Sequence, residues 1–149
     1  MSTLKQINDF LDSKLIAFVG VSRNPKKFGY TAFKELKDGG MKIIPVNPSA
    51  DEIMGEKSYS NVKLLPQEVQ SIIICTKKDK TASVIRDAKE KGIKNIWIQQ
   101  MADSKEALDE LKGSGINFIT GECILMHYKP HSIHKFHGGI RKFFGRFPK

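Results

Sequence analysis

The 149-residue sequence has two cysteines, one tryptophan and no apolar run of the roughly 18 residues a membrane-spanning helix needs. Two cysteines are too few for a disulfide scaffold. The opening MSTLKQINDFLDSK has no apolar centre, so it does not read as a secretory leader. There is no G-x-G-x-x-G fingerprint, no Walker lysine motif, no nucleophile elbow and no paired-carboxylate constellation. No internal repeat and no low-complexity segment interrupts the chain. These absences set the expectation: a soluble, cytoplasmic protein with no membrane span, and a binding module rather than an enzyme with visible catalytic machinery. At this length one domain can bury about two-thirds of its unfolded surface without staples.

Positive charge is present in excess, and it is unevenly placed. The formal net charge is +9. From His127 onward Lys129, Lys135, Arg141, Lys142, Arg146 and Lys149 meet no acid, which leaves +3 for the first 126 residues. Two parts are therefore expected: a body over 1–128 and a basic tail over 129–149.

The body alternates apolar runs with helical patterns. Leu15–Val19, Met41–Val46, Ile72–Cys75, Ile96–Ile98 and Asn117–Ile119 are short and apolar, without strict alternation. Strands of that kind are buried on both faces, as in a parallel sheet. Between them, Gly29–Asp38 carries Ala32, Phe33 and Leu36 at helical spacing and ends at Gly39-Gly40. Asp79–Lys91 carries Ala82, Ile85 and Ala88 and stops at Gly92. Asp103–Lys112 opens on an Asp103/Glu106 pair spaced like a capping box. The segment 53–66 is irregular, with a small edge strand expected near Lys57–Tyr59. Strand–helix–strand repetition with short connections predicts an α/β fold: a Rossmann-like, doubly wound parallel sheet of about five strands, with helices on both faces.

Ligands of such sheets lie beyond the carboxyl ends of the strands. The first loop there runs Gly20-Val21-Ser22-Arg23-Asn24-Pro25-Lys26-Lys27-Phe28-Gly29-Tyr30. It is a glycine-bounded turn into a helix, which offers free N–H groups to an anion. It also carries three cations, Arg23, Lys26 and Lys27. Ser22 stands where a dinucleotide fingerprint has its second glycine, and the second strand ends on Asn47-Pro48 rather than on a ribose-binding acid, Asp51 being the nearest. Both departures count against a nicotinamide dinucleotide and favour a ligand with an extra phosphate.

The Gly20–Tyr30 run, followed by Pro45-Val46-Asn47-Pro48, Ile96-Trp97-Ile98-Gln99 and Gly121-Glu122-Cys123, resembles the CoA-binding domain family. These are small Rossmann-like proteins similar to the N-terminal domain of the succinyl-CoA synthetase alpha subunit. The likeness covers roughly residues 7 to 128. It implies coenzyme A, or an acyl-CoA, held across the strand ends. It implies that Gly20, Ser22, Arg23, Asn24, Lys26, Lys27, Phe28 and Gly29 lie against the phosphates, and Asn47 and Pro48 near the adenosine. Cys75, Thr76 and Lys77 would line the middle of the cleft, and Gln99 and Cys123 its pantetheine side. It implies no settled reaction, since the synthetase needs further domains and a phosphorylated histidine.

Other features stay open at this level. With a strand between them, Cys75 and Cys123 are about 9.6 Å apart, too far for a disulfide. Cys123 follows a strand end, where a bound CoA thiol could form a mixed disulfide with it, or His127 could make it a thiolate; its plain alternative is a small buried hydrophobe. His127, His131, His134 and His137 are spaced 4, 3 and 3 apart, compatible with a metal site but lacking carboxylate or thiol partners, and Pro130 breaks any helix through the first two. In the tail, Phe136, Ile140 and Phe143 or Phe144 follow helical spacing and predict an amphipathic helix, docked on the body or on a second copy in a homodimer. Two other functions fit parts of the chain: a nicotinamide dinucleotide-binding oxidoreductase or redox sensor, and nucleic-acid binding through the tail.

Overall fold

A computed structural model describes residues 2–128. The expected tail helix and the histidines beyond His127 lie outside the described residues.

Five parallel strands form the sheet: β1 (Ile16–Val19), β2 (Ile43–Val46), β5 (Ser71–Ile74), β6 (Asn95–Gln99) and β7 (Asn117–Glu122), in the order β2-β1-β5-β6-β7. Helices α2 (Phe28–Asp38), α3 (Lys78–Lys91) and α4 (Lys105–Leu111) connect them. All three were expected within two residues at each end. A hairpin of β3 (Glu52–Ile53) and β4 (Glu56–Lys57) follows β2. Its turn residues, Met54 and Gly55, both have positive φ, 50° and 81°, as a two-residue primed turn requires. The chain then runs beside β2, where Tyr59 bridges Val46. The edge strand expected at Lys57–Tyr59 is thus divided between that hairpin and a single bridge.

Alternate strand residues face opposite layers, which is why continuous apolar runs were needed. Ile16, Phe18, Ile43, Ile73, Trp97 and Ile119 pack with Ala32, Phe33 and Leu36 of α2. Ala17, Val19, Ile72, Ile74, Ile96 and Ile98 pack with Ala82, Ile85 and Ala88 of α3 and Ala107 and Leu111 of α4. Each fully buried isoleucine or phenylalanine contributes about 2–3 kcal/mol by transfer from water.

A further helix, α1 (Leu4–Leu11), was not expected. It buries Ile7 and Phe10 on the α2 side of the sheet, with the Phe10 ring 5.4 Å from Trp97. Its start is a true capping box: Thr3 accepts from the Gln6 amide and the Gln6 side chain accepts from the Thr3 amide. The box expected at Asp103/Glu106 is corrected by one residue. Ser104 caps α4 by accepting from the Ala107 amide, and position 107 has no carboxylate to reciprocate. No helix among the described residues is long and apolar enough to cross a membrane.

Candidate ligand cleft

The chain leaves β1 towards β2 on one side and returns to β5 on the other, so the winding direction reverses between β1 and β5. A crevice must open beyond the carboxyl ends at such a point. A cleft of about 490 Å³ lies there. Three segments line it: Gly20, Ser22 and Lys27–Gly29 after β1, Cys75–Lys77 after β5, and Gln100–Ala102 after β6. A second hollow, about 280 Å³, lies at the amino ends of the strands among Asp9, Asp12 and Glu68. Its acidic lining repels a polyanion.

Backbone packing sets the shape of the cleft. Gly20 has φ of +100°, and a Cβ there would collide with the Cys75 carbonyl. A Cβ on Gly29 would collide with the Gly20 carbonyl oxygen. The end of β1, the first turn of α2 and the end of β5 therefore meet at distances that only glycine permits.

The loop between is held by its own short polar side chains. Ser22 Oγ accepts from the Asn24 amide at 3.0 Å, and Asn24 Oδ1 accepts from the Lys26 amide at 2.9 Å. Asn47 ties the loop to β2: its Nδ2 donates to the Val21 carbonyl at 2.8 Å, and its Oδ1 accepts from the Ser49 amide at 2.7 Å. Both ends of the Asn47 amide are therefore engaged in positioning the loop. Neither Asn47 nor the exposed Pro48 lines the cleft. Arg23, Asn24 and Lys26 are exposed on the outer part of the loop, outside the cleft lining, whereas Lys27 is part of it.

Two helices aim their amino ends at this place. The cap positions of α2 and α3 are Lys27 and Lys77, and neither helix has a side-chain cap. Helices α1 and α4, whose cap residues are not part of the cleft lining, are capped by the hydroxyls of Thr3 and Ser104. A helix start without a side-chain cap carries about half a positive charge. The cleft thus joins two such starts to two lysine ammonium groups.

Two residues expected on the pantetheine side are elsewhere. Gln99 and Cys123 are both buried and do not line the cleft. Gln99 donates from Nε2 to Cys123 Sγ at 2.9 Å and accepts at Oε1 from the Ile124 amide at 3.1 Å. Together they fasten the turn after β7. A mixed disulfide with Cys123 would require that turn to open. His127 does not pair with Cys123 either; its Nε2 lies 3.4 Å from Glu122 Oε1, and its ring packs 5.7 Å from Trp97. Both cysteines are free thiols. Burial, aided by Cys123, pushes the Cys75 thiol up to about 12, so at neutral pH the cleft presents an uncharged thiol of low nucleophilicity. Among the described residues no group of three histidine, cysteine or carboxylate side chains could hold a metal ion.

The wall that the sequence did not reveal is Gln100–Ala102. Met101 has φ of +75° and is 57% exposed at the cleft rim. A non-glycine residue in that region stores about 1 kcal/mol or more of strain. Met101→Gly is expected to raise stability by about 1 kcal/mol in chemical denaturation while weakening ligand binding severalfold, because the apolar rim is lost. A variant both less stable and tighter-binding would contradict this reading of Met101.

Fold and cleft together define a Rossmann-like α/β domain with a lysine-flanked cleft at its switch point. The profile of the CoA binding domain family matches residues 14–129, and the chain belongs to that family. It is 32% identical over 126 residues to the alpha subunit of ADP-forming acetate–CoA ligase II of Pyrococcus furiosus, a match covering 77% of this chain and 28% of that subunit. The chain therefore corresponds to under a third of that relative. An uncharacterized Bacillus subtilis protein, YneT, is 32% identical over 112 residues, covering 75% of this chain and 83% of its own length. Among solved structures, a conserved hypothetical protein from Pyrococcus furiosus superposes with a TM-score of 0.73 at 37% identity, covering 76% of this chain and 97% of that one.

Proposed function

We propose that the chain binds coenzyme A or an acyl-CoA across the switch-point cleft. The phosphates lie over the Gly20–Gly29 turn, against the amino ends of α2 and α3. The observation that carries this is the contrast in helix starts. The two helices whose cap residues line the cleft have lysine there and no side-chain cap hydrogen bond, and the two whose cap residues do not line it are capped by hydroxyls. An anion is favoured at such helix starts. The glycine junction lets backbone approach the phosphates closely, and the neutral thiol and apolar rim beyond suit an uncharged arm. Arg23 and Lys26, on the outer loop, attract the polyanion at longer range.

The role is that of a ligand-binding module, with 1–128 as the binding body and 129–149 as a basic docking segment for the body or a second copy. Two free thiols and a CoA ligand support a cytoplasmic setting. Calorimetric titration with CoA, dephospho-CoA and NAD at two salt concentrations tests this. Micromolar CoA binding, weaker for dephospho-CoA and absent for NAD, is the expected result. NAD binding in place of CoA would favour the oxidoreductase reading. Binding of neither, with nucleic-acid affinity that falls steeply with salt, would move function to the tail.

A further inference from the structure

Thr76 stands in the cleft wall, with its hydroxyl 2.8 Å from that of Thr81. Thr81 is fully buried on α3. Its Oγ1 is 2.6 Å from the Ala102 carbonyl oxygen and 3.3 Å from that of Lys77. A hydroxyl has one proton to donate, and a carbonyl oxygen can only accept. The single Thr81 proton is therefore committed to a carbonyl, the closer being that of Ala102. The contact between the two threonines then needs a proton from Thr76. With that proton turned inward, Thr76 offers the cleft lone pairs and no donor. Gln100 lines the same cleft, but its Oε1 is buried away from it, so Thr76 supplies the acceptor of this wall.

We infer that Thr76 is a specificity-determining residue that accepts a hydrogen bond from an amide N–H of the ligand's pantetheine arm. The inference rests on the CoA reading above and adds which part of the ligand this wall selects. The cationic groups lie at the helix starts. The wall beyond Thr76 is formed by Cys75, Met101 and Ala102 and is uncharged. A long arm of apolar links interrupted by amides matches an apolar wall interrupted by the Thr76 acceptor. The Thr81–Ala102 bond fixes acceptor and apolar wall relative to each other, so Thr81 is a positioning residue for both.

The test uses CoA, two analogues in which one or the other pantetheine amide N–H is replaced by an ester oxygen, and adenosine 3′,5′-bisphosphate, which lacks the arm. Each is titrated into the wild type, Thr76→Val and Thr76→Ser. An ester oxygen set against an acceptor cannot bond, so the wild type is expected to bind one of the two analogues about tenfold more weakly than CoA. Thr76→Val is expected to bind CoA about tenfold more weakly and to lose that discrimination. Thr76→Ser should restore both, and the bisphosphate should bind all three proteins alike. Wild type that binds both analogues as tightly as CoA overturns the inference and leaves the CoA reading intact. An equal loss for the bisphosphate in Thr76→Val also overturns it, since the contact would then be to the nucleotide. Absence of CoA binding by the wild type overturns the CoA reading and this inference with it. Melting temperatures of the variants separate a folding defect from a lost contact.

Discussion

Replacing Lys27 and Lys77 together by alanine is expected to weaken CoA binding about a hundredfold, roughly tenfold for each charge-assisted contact. The lysines cap different helices that meet at the cleft. Their side chains come from separate loops, so the two losses should add. Both are exposed, and the melting temperature should barely move. Arg23→Ala, on the outer loop, should cost only about threefold, and that loss should shrink as salt screens a charge that acts at longer range. Parallel calorimetric titrations of the three variants check the ranking. If Arg23→Ala proves the most damaging, the phosphates lie on the outer loop and not over the helix starts.

Gly20→Ala should damage the fold and the site together. The substitution forces a Cβ into a backbone with φ of +100° and against the Cys75 carbonyl. Strain and collision each fall in the range of about 1–3 kcal/mol. A loss near 3 kcal/mol corresponds to a melting temperature about 10 °C lower for a domain of this size. The alternative to collision is separation of the β1 and β5 ends, which widens the cleft at its phosphate end. CoA affinity should therefore fall even at temperatures where the variant is fully folded. Gly55→Ala is the control: it has positive φ too, 81°, but nothing lies within 4 Å of the added Cβ. It should cost only the conformational strain, about 1 kcal/mol, with ligand binding unchanged. Thermal melts followed by titration separate the two effects.

The sheet was legible because parallel strands buried on both faces leave uninterrupted apolar runs, and because Gly39-Gly40 and Gly92 mark helix ends without ambiguity. The glycine-bounded turn after β1 was legible for a related reason: Gly20 and Gly29 are required by close backbone approach, and the residues between them carry the charge. Helix α1 was within reach, since Thr3 and Gln6 form the capping box and Leu4, Ile7, Phe10 and Leu11 follow helical spacing. The segment was read only for what it excluded. The wall of the cleft after β6 was not legible. Gln99 is polar at a strand end and reads as a ligand contact, yet it points into the protein to bond Cys123 and Ile124. Its neighbour Gln100 faces the cleft, and a one-residue change of direction reverses the side of a strand. Nor does a methionine announce positive φ, so the turn at Met101 leaves no trace in the sequence. Hydroxyl direction at Thr76 depends on Thr81 and on the Ala102 carbonyl, which is far along the chain and adjacent only once folded.

CoA lying across the carboxyl ends of β1, β5 and β6 would perturb three separate loops at once. A ¹⁵N-labelled sample titrated with CoA and followed by amide chemical shifts tests it most directly, because each cleft segment reports separately. The largest shifts are expected on Gly20–Gly29, Cys75–Lys77 and Gln100–Ala102, with Asp9, Asp12 and Glu68 at the opposite edge unmoved. Shifts confined to 129–149, or centred on the acidic hollow at the amino ends of the strands, would contradict it.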